Sequence, residues 1–253
     1  MRRFGLIGFP VSHSKSPELF REAYPDSRDM SYELIDEPDF DNALQRFIED
    51  FDAVNVTAPF KEQAFAVADK VDDISSKIGA VNILRKQDGL IFGYNSDYLA
   101  VEEMLNARSL SGRKALVVGC GGAAKAASVA AVSAGLEVDL ANRDCRKAEN
   151  FAASVHGINP VSITAALESG SGYDVVIYAV PVFVAGIETL LSNGTVVIEA
   201  NYRAPSLKDI CSGKGLDYVS GIEWLCRQAV AGFRLMTSII PDGYRMERHC
   251  ALI

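Results

Sequence analysis

The chain has 253 residues, 49% hydrophobic and 23% charged, a balance that excludes a disordered polypeptide and suits one large or two ordinary domains with sizeable cores. Its formal net charge of −8 excludes a general binder of phosphate backbones, so nucleic acid is not an expected partner, and an anionic small ligand would need local cations. Five scattered cysteines without a C-x-x-C pair, and three histidines far apart, point to neither a disulfide framework nor a metal site, and to a reducing cytoplasm.

Met1-Arg2-Arg3 ahead of the apolar run Phe4 to Val11 imitates a secretory leader. The run is short, contains Pro10 and leads directly into Ser12-His13-Ser14-Lys15, so a first β-strand over Phe4–Gly8 is expected instead. The pattern then alternates through helix Pro17–Tyr24, strand Tyr32–Ile35, helix Phe40–Glu49 and strand Ala53–Val56. Next, Asn55-Val56-Thr57-Ala58-Pro59-Phe60-Lys61 delivers a lysine just past a strand end, where a helix is predicted over 61–78. The carboxyl end of a strand is where open α/β sheets bind ligands. Lys61 is therefore a candidate to act on one, the plain alternative being a solvated lysine in a first turn. Strands Ala80–Arg85 and Leu90–Tyr94 around Gln87-Asp88-Gly89 form a predicted hairpin, followed by helix Tyr98–Asn106.

The polar break Arg108 to Arg113 marks a domain boundary, dividing 1–107 from 108–220. Beyond it, the apolar strand Lys114–Val118 runs into Gly119-Cys120-Gly121-Gly122-Ala123-Ala124, which is G-x-G-x-x-A between a strand and the predicted helix Ala123–Ala134. In that context Gly119 permits a tight turn, Gly121 lets backbone approach a pyrophosphate, and small Ala124 lets helix and strand pack closely. Gly119, Gly121, Gly122 and Ala123 are the candidate cofactor contacts. Strand Glu137–Ala141 ends in Asn142-Arg143-Asp144, about twenty residues on, where NAD enzymes usually carry an acid for the ribose hydroxyl. Asn142 is no acid, and Arg143, Arg146 and Lys147 cluster there, so NADP is favoured over NAD. Strands Asp174–Ala179 and Thr195–Ala200 continue the sheet. The longest apolar run, Val175 to Ile187, is interrupted by Pro181 and falls short of the ~20 residues that span a bilayer, so no membrane segment is expected. Beyond Gly221, residues 222–239 form one predicted amphipathic helix carrying Gln228.

Several spaced motifs, in order along nearly the whole chain, resemble the shikimate dehydrogenases: His13-Ser14-Lys15-Ser16-Pro17, Asn55 to Lys61, Gly79-Ala80-Val81-Asn82, Asn95-Ser96-Asp97, the glycine loop, Asn142-Arg143 and Gln228-Ala229. The resemblance implies an α/β fold with an N-terminal α/β substrate domain and a C-terminal Rossmann-like doubly wound dinucleotide-binding domain, a cleft between them, and residues 221–253 folding back onto the first. It implies reversible reduction of 3-dehydroshikimate to shikimate with NADPH. On this pattern Lys61 and Asp97 are the catalytic pair, and Ser14 and Ser16 hold the substrate carboxylate with Tyr202 assisting. Thr57, Asn82, Asp97 and Gln228 bind ring hydroxyls. Gly119, Gly121, Gly122, Ala123, Asn142, Arg143, Lys147 and Gly221 serve the cofactor. The partner is a small-molecule substrate, with no nucleic acid or membrane, in a monomer or homodimer. An NAD-dependent quinate/shikimate dehydrogenase and a catalytically silent NADP-binding regulatory protein are the alternatives.

The chain departs from the family pattern in five places. Tyr178-Ala179-Val180-Pro181 stands where Asn-Ala-Thr-Ser is usual, and Glu199 supplies the acid three residues before Tyr202. Lys125 replaces an arginine, Asp144 a threonine, and Glu223-Trp224 the usual Gly-Met.

Overall fold

The computed structural model describes residues 1–170 and 172–252; Ser171, within the expected second domain, and Ile253, ending the expected C-terminal segment, lie outside the described residues. The chain divides into two compact units, Met1–Ser96 together with the chain from Cys226 onward, and Asp97–Leu225.

In the first unit Arg2–Gly8 (β1), Met30–Asp36 (β2), Ala53–Val56 (β3), Lys70–Val71 (β4), Ile83–Gln87 (β5) and Leu90–Tyr94 (β6) form one mixed sheet in the order β2-β1-β3-β5-β6-β4. β1 runs parallel to both β2 and β3, while β3, β5 and β6 pair antiparallel through the expected hairpin. Helices Ser16–Ala23 (α1), Phe40–Asp50 (α2), Lys61–Val67 (α3) and Asp73–Ile78 (α4) connect the strands. Ile7, Ile35, Phe47, Phe51, Val54 and Leu84 are completely or nearly completely buried in its core.

The helix predicted over 61–78 is two helices with a strand between them. Asp69 breaks the run: its N–H reaches the Ile91 carbonyl and its carboxylate takes the Ile91 N–H, both at 2.8 Å, which starts β4 along β6. Asp72 then caps α4 by accepting the Ser75 N–H at 2.6 Å. Aspartate competes with helical backbone bonding in this way and favours caps.

The second unit contains Ser96–Asn106 (α5), which begins at the division, and an alternating run of strands and helices: Lys114–Val118 (β7), Gly122–Ser133 (α6), Glu137–Asn142 (β8), Cys145–Ala152 (α7), Ile158–Ser162 (β9), Ile163–Glu168 (α8), Val175–Tyr178 (β10), Val196–Glu199 (β11), Lys208–Lys214 (α9) and Asp217–Val219 (β12). The sheet order is β12-β11-β10-β7-β8-β9 and every neighbouring pair is parallel. Parallel strands are buried on both faces and accordingly read as continuous apolar runs, as in Val175-Val176-Ile177-Tyr178. The strand order reverses between β7 and β10, the switch point at whose carboxyl ends such sheets bind ligands. β9 and β12 are additional to the expected strands; β9 is an edge strand that tolerates Pro160 because one side of it needs no ladder donor.

Gly221–Thr237 (α10) and Gly243–Cys250 (α11) close the chain. The expected helix to 239 ends at Thr237, because Ser238 turns to φ 61° and the Thr237 hydroxyl takes the Ile239 N–H at 3.0 Å. Arg2 and Arg85 donate to the carbonyls of Thr237 and Leu235, at 2.8 and 2.9 Å, satisfying the helix end.

Candidate active site

β3 ends at Val56, and the turn that follows is fixed from both sides. The Thr57 N–H reaches the Ile7 carbonyl at 2.8 Å, and the Phe60 N–H returns to the Thr57 carbonyl at 3.0 Å. Lys61 is the first residue of α3, half-buried, its carbonyl accepting from Val81 at 3.0 Å. That bond ties the Lys61 turn to the segment carrying Asn82.

Asn82, buried, sets a polar cluster with residues distant in sequence. Its side-chain oxygen accepts the Ser96 N–H at 2.8 Å, and its amide donates to Ser96 Oγ at 3.0 Å and toward Gln228 Oε1 at 3.5 Å. Ser96 Oγ also reaches Gln228 Oε1 at 3.2 Å, so Asn82 and Gln228 come together as expected while Ser96, not singled out in the sequence, links them. Asn55 joins the cluster through the Asn82 carbonyl at 3.4 Å. Ser14 and Ser16 also come together: Ser14 Oγ accepts the Ser16 N–H at 3.2 Å and donates to Ser16 Oγ at 3.1 Å. Lys15 holds the N-cap position of α1 without a side-chain cap.

Asp97, in the first turn of α5, is buried at 5% exposure and accepts a 3.1 Å hydrogen bond from Trp224 Nε1. Trp224 is 3% exposed, and where the family has a methionine its indole N–H reaches the expected catalytic carboxylate. Tyr202, half-buried, sits in the turn after β11, and burial pushes its phenol above the ordinary range. Glu199 anchors that turn. Its carboxylate is fully buried and accepts the N–H groups of Ser206 and Leu207 and the Tyr218 hydroxyl, the last at 2.8 Å. Burial and the adjacent Glu199 push the Tyr218 phenol well up, which keeps it a donor. Gly221, at the head of α10, lies against the backbone of Ala200 to Tyr202, where a Cβ would come within 2.6 Å of the Tyr202 nitrogen.

The dinucleotide loop sits at the end of β7. Gly119 has φ 114°, a conformation that residues with a Cβ adopt only under strain, and its N–H reaches the Ala141 carbonyl of β8 at 2.8 Å. Gly121 caps α6, and a Cβ built there meets nothing within 4 Å, leaving room for a ligand's phosphates before the first N–H groups of the helix, which have no partner within it. Gly122 and Ala123, half-buried, form that first turn. Asn142 ends β8 and holds the Asp144 carbonyl at 2.9 Å. The Asp144 carboxylate caps α7 by accepting the Arg146 N–H at 3.1 Å, while Arg143 and Lys147 are exposed. Lys125 lies over the Phe151 ring, its Nζ 5.5 Å from the centroid. The altered segment after β10 is held by Tyr178, whose hydroxyl donates to the Val182 carbonyl at 2.7 Å and accepts the Val184 N–H at 2.8 Å. Val180 packs against Gly119.

Among the described residues no group of three His, Cys, Asp or Glu could hold a metal, none of the five cysteines forms a disulfide, and no helix is long and apolar enough to cross a membrane.

A doubly wound parallel sheet with this glycine loop, in a chain whose other unit gathers directional polar side chains, defines a nucleotide-dependent enzyme of the oxidoreductase class. Residues 6–84 match the model of the shikimate dehydrogenase substrate-binding domain. A Halothermothrix orenii protein called shikimate dehydrogenase (NADP(+)) is 32% identical over 94% of this chain and 91% of its own. A Bacillus cereus protein of the same name is 30% identical over 97% of this chain and 96% of its own. The crystal structure of shikimate 5-dehydrogenase from Thermus thermophilus, in complex with NADP(H) and shikimate, superposes with a TM-score of 0.85 at 30% identity, covering 100% of this chain and 99% of that one. The chain belongs to the shikimate dehydrogenase family.

Proposed function

We propose that the protein is an NADP-dependent shikimate dehydrogenase, interconverting 3-dehydroshikimate and shikimate. The observation that carries this reading is the cluster of Asn82, Ser96 and Gln228, with Ser14 and Ser16, in one unit, and an open glycine loop in the other. Ring hydroxyls and a carboxylate need such directional donors and acceptors. The names of the relatives point the same way.

Bound NADP supplies the hydride chemistry. As the ketone is reduced, negative charge develops on its oxygen, and Lys61 would supply both the proton and a cationic field there. Asp97, held by Trp224, would orient the lysine and bind an adjacent hydroxyl. Ser14, Ser16 and Tyr202 would hold the carboxylate, and Thr57, Asn82 and Gln228 the ring hydroxyls. Gly119, Gly121, Gly122, Ala123 and Gly221 would line the cofactor site. Asn142, Arg143 and Lys147 would meet the 2′-phosphate, the first shaping the turn and the others supplying charge. Asp144, which accepts the Arg146 N–H at the start of α7, carries a charge that opposes that phosphate, and the two nearby cations would outweigh it. The substrate-binding role falls to 1–107 with the C-terminal helices, the dinucleotide role to 108–220. Five cysteines without a disulfide suit the cytoplasm, and the protein acts as a monomer or homodimer.

The test is nicotinamide absorbance with shikimate or quinate as substrate, each against NADP and NAD. Fastest turnover of shikimate with NADP is expected; a preference for quinate with NAD, or no turnover in any combination, would refute the reading.

A further inference from the structure

The backbone of Asn82 is pinned on both sides: its N–H reaches the Tyr94 carbonyl at 2.9 Å and its carbonyl accepts from Val56 at 2.8 Å. Its side chain meets Ser96, which is fully buried at the start of α5. A third element closes on the pair. Gly232, one turn beyond Gln228 on α10, lets that helix come so near that a Cβ there would stand 3.1 Å from Ser96 Oγ. Ser96 thus lies between Asn82 and the face of α10 that carries Gln228.

We propose that Ser96 is a positioning residue that fixes which way the amides of Asn82 and Gln228 face, so that Gln228 meets a ring hydroxyl of the substrate as a donor; the inference rests on the shikimate dehydrogenase reading. An amide side chain has an oxygen that only accepts and a nitrogen that only donates, and a half-turn exchanges them. The Ser96 backbone N–H can only donate, and it reaches Asn82 Oδ1 at 2.8 Å, so the Asn82 oxygen faces it. The Asn82 nitrogen then stands 3.0 Å from Ser96 Oγ and donates to it. A hydroxyl that accepts there has one proton to give elsewhere. Gln228 Oε1 takes it at 3.2 Å, in preference to Asn82 Oδ1 at 3.3 Å, which the backbone N–H already engages. The Asn82 amide points at the same Gln228 oxygen from 3.5 Å. Two donors converging on Oε1 hold the Gln228 oxygen toward Ser96 and turn its NH2 group the other way, as the end that meets a substrate oxygen. One backbone N–H, relayed through one hydroxyl, thereby sets the chemical sense of a substrate contact on another helix.

Ser96→Ala keeps the backbone N–H, and with it the Asn82 orientation, and removes the hydroxyl that holds Gln228. It is expected to raise KM for shikimate about three- to tenfold, the worth of one hydrogen bond. kcat should stay within about twofold, and KM for NADP unchanged, since the lost contact serves substrate binding alone. In a Gln228→Ala background, Ser96→Ala should add almost nothing, because the side chain it positions is gone. Gln228→Glu, made with Ser96 intact, reads the polarity by itself: a carboxylate keeps an oxygen toward Ser96 and has no proton to give, so KM should rise at least as far as in Gln228→Ala. An unchanged KM in Ser96→Ala, a fall in kcat without a rise in KM, fully additive losses in the double variant, or a Gln228→Glu protein with the wild-type KM would overturn the inference while leaving the enzyme's function standing. A wild-type protein that does not oxidise shikimate would instead remove the functional reading, and the inference with it.

Discussion

Glu199→Gln isolates what a buried carboxylate does for the turn that carries Tyr202. The two oxygens divide three donors: Oε1 takes the Ser206 N–H, and Oε2 takes the Leu207 N–H and the Tyr218 hydroxyl. A glutamine must put its NH2 group on one of these sides. Facing Ser206, it orphans that N–H; facing the other side, it orphans the Leu207 N–H, although Tyr218 can rotate to accept. Either way at least one buried N–H is left against another donor, at a cost of about 1–3 kcal/mol. For a chain of this size each kcal/mol moves Tm by about 2–4 °C, so a fall of about 2–12 °C is expected in a thermal melt. Because Tyr202 lies in the loosened turn, KM for shikimate should rise with little change in kcat. A Tm within about 1 °C of wild type together with an unchanged KM would refute this account of Glu199.

Lys61→Ala should lower kcat by about 10²–10⁴-fold, the range for losing a general acid or base, with shikimate binding little changed in a direct titration; retention of most kcat would remove Lys61 from the chemistry. Arg143→Ala should weaken NADP about ten- to a hundredfold and leave NAD nearly untouched, measured as separate dissociation constants; equal losses would contradict phosphate recognition there. Asp139 is buried in the second unit, and although burial opposes its charge, Asn159, Tyr173 and Lys114 hold its carboxyl below the usual range. A carboxyl lowered in the folded state stabilises the fold above its unfolded value and loses that contribution as pH falls through the folded one. Asp139→Asn should therefore destabilise the protein at neutral pH and flatten the acid side of its Tm–pH profile; parallel profiles would show that the network contributes no such linkage.

The parallel sheet and its glycine loop were legible because their signals are local: an apolar run, a turn that only glycine makes cheaply, and a helix of small residues, all within Lys114 to Ala134. The placement of Lys61 at a helix start just past a strand end was legible for the same reason, as was the pairing of Ser14 with Ser16. The break at Asp69 was not, since its cause is the backbone of Ile91, 22 residues away. β9 and β12 are short edge strands whose pairing, not their composition, makes them strands. In the polar cluster, Ser96 and Asn55 carry no periodic signature, and the Trp224 bond to Asp97 spans 127 residues. The departures from the family pattern gain a physical meaning only in three dimensions: Asp144 caps a helix, Glu199 anchors a turn, and Tyr178 holds the segment that follows it.

The chain has a single tryptophan, and it is the one whose indole N–H is bonded to Asp97. All ultraviolet-excited indole emission from this protein therefore originates at one buried carboxylate, with no second fluorophore of that kind to subtract. Indole emission shifts with the charge and hydration beside the ring, and reduced nicotinamide absorbs in the same spectral region. On the proposed function, ligand arrival beside Asp97 would be readable as a change in colour or intensity, without a label and before any turnover. Stopped-flow mixing with each ligand in turn would resolve the order of binding, and Trp224→Phe supplies the dark control.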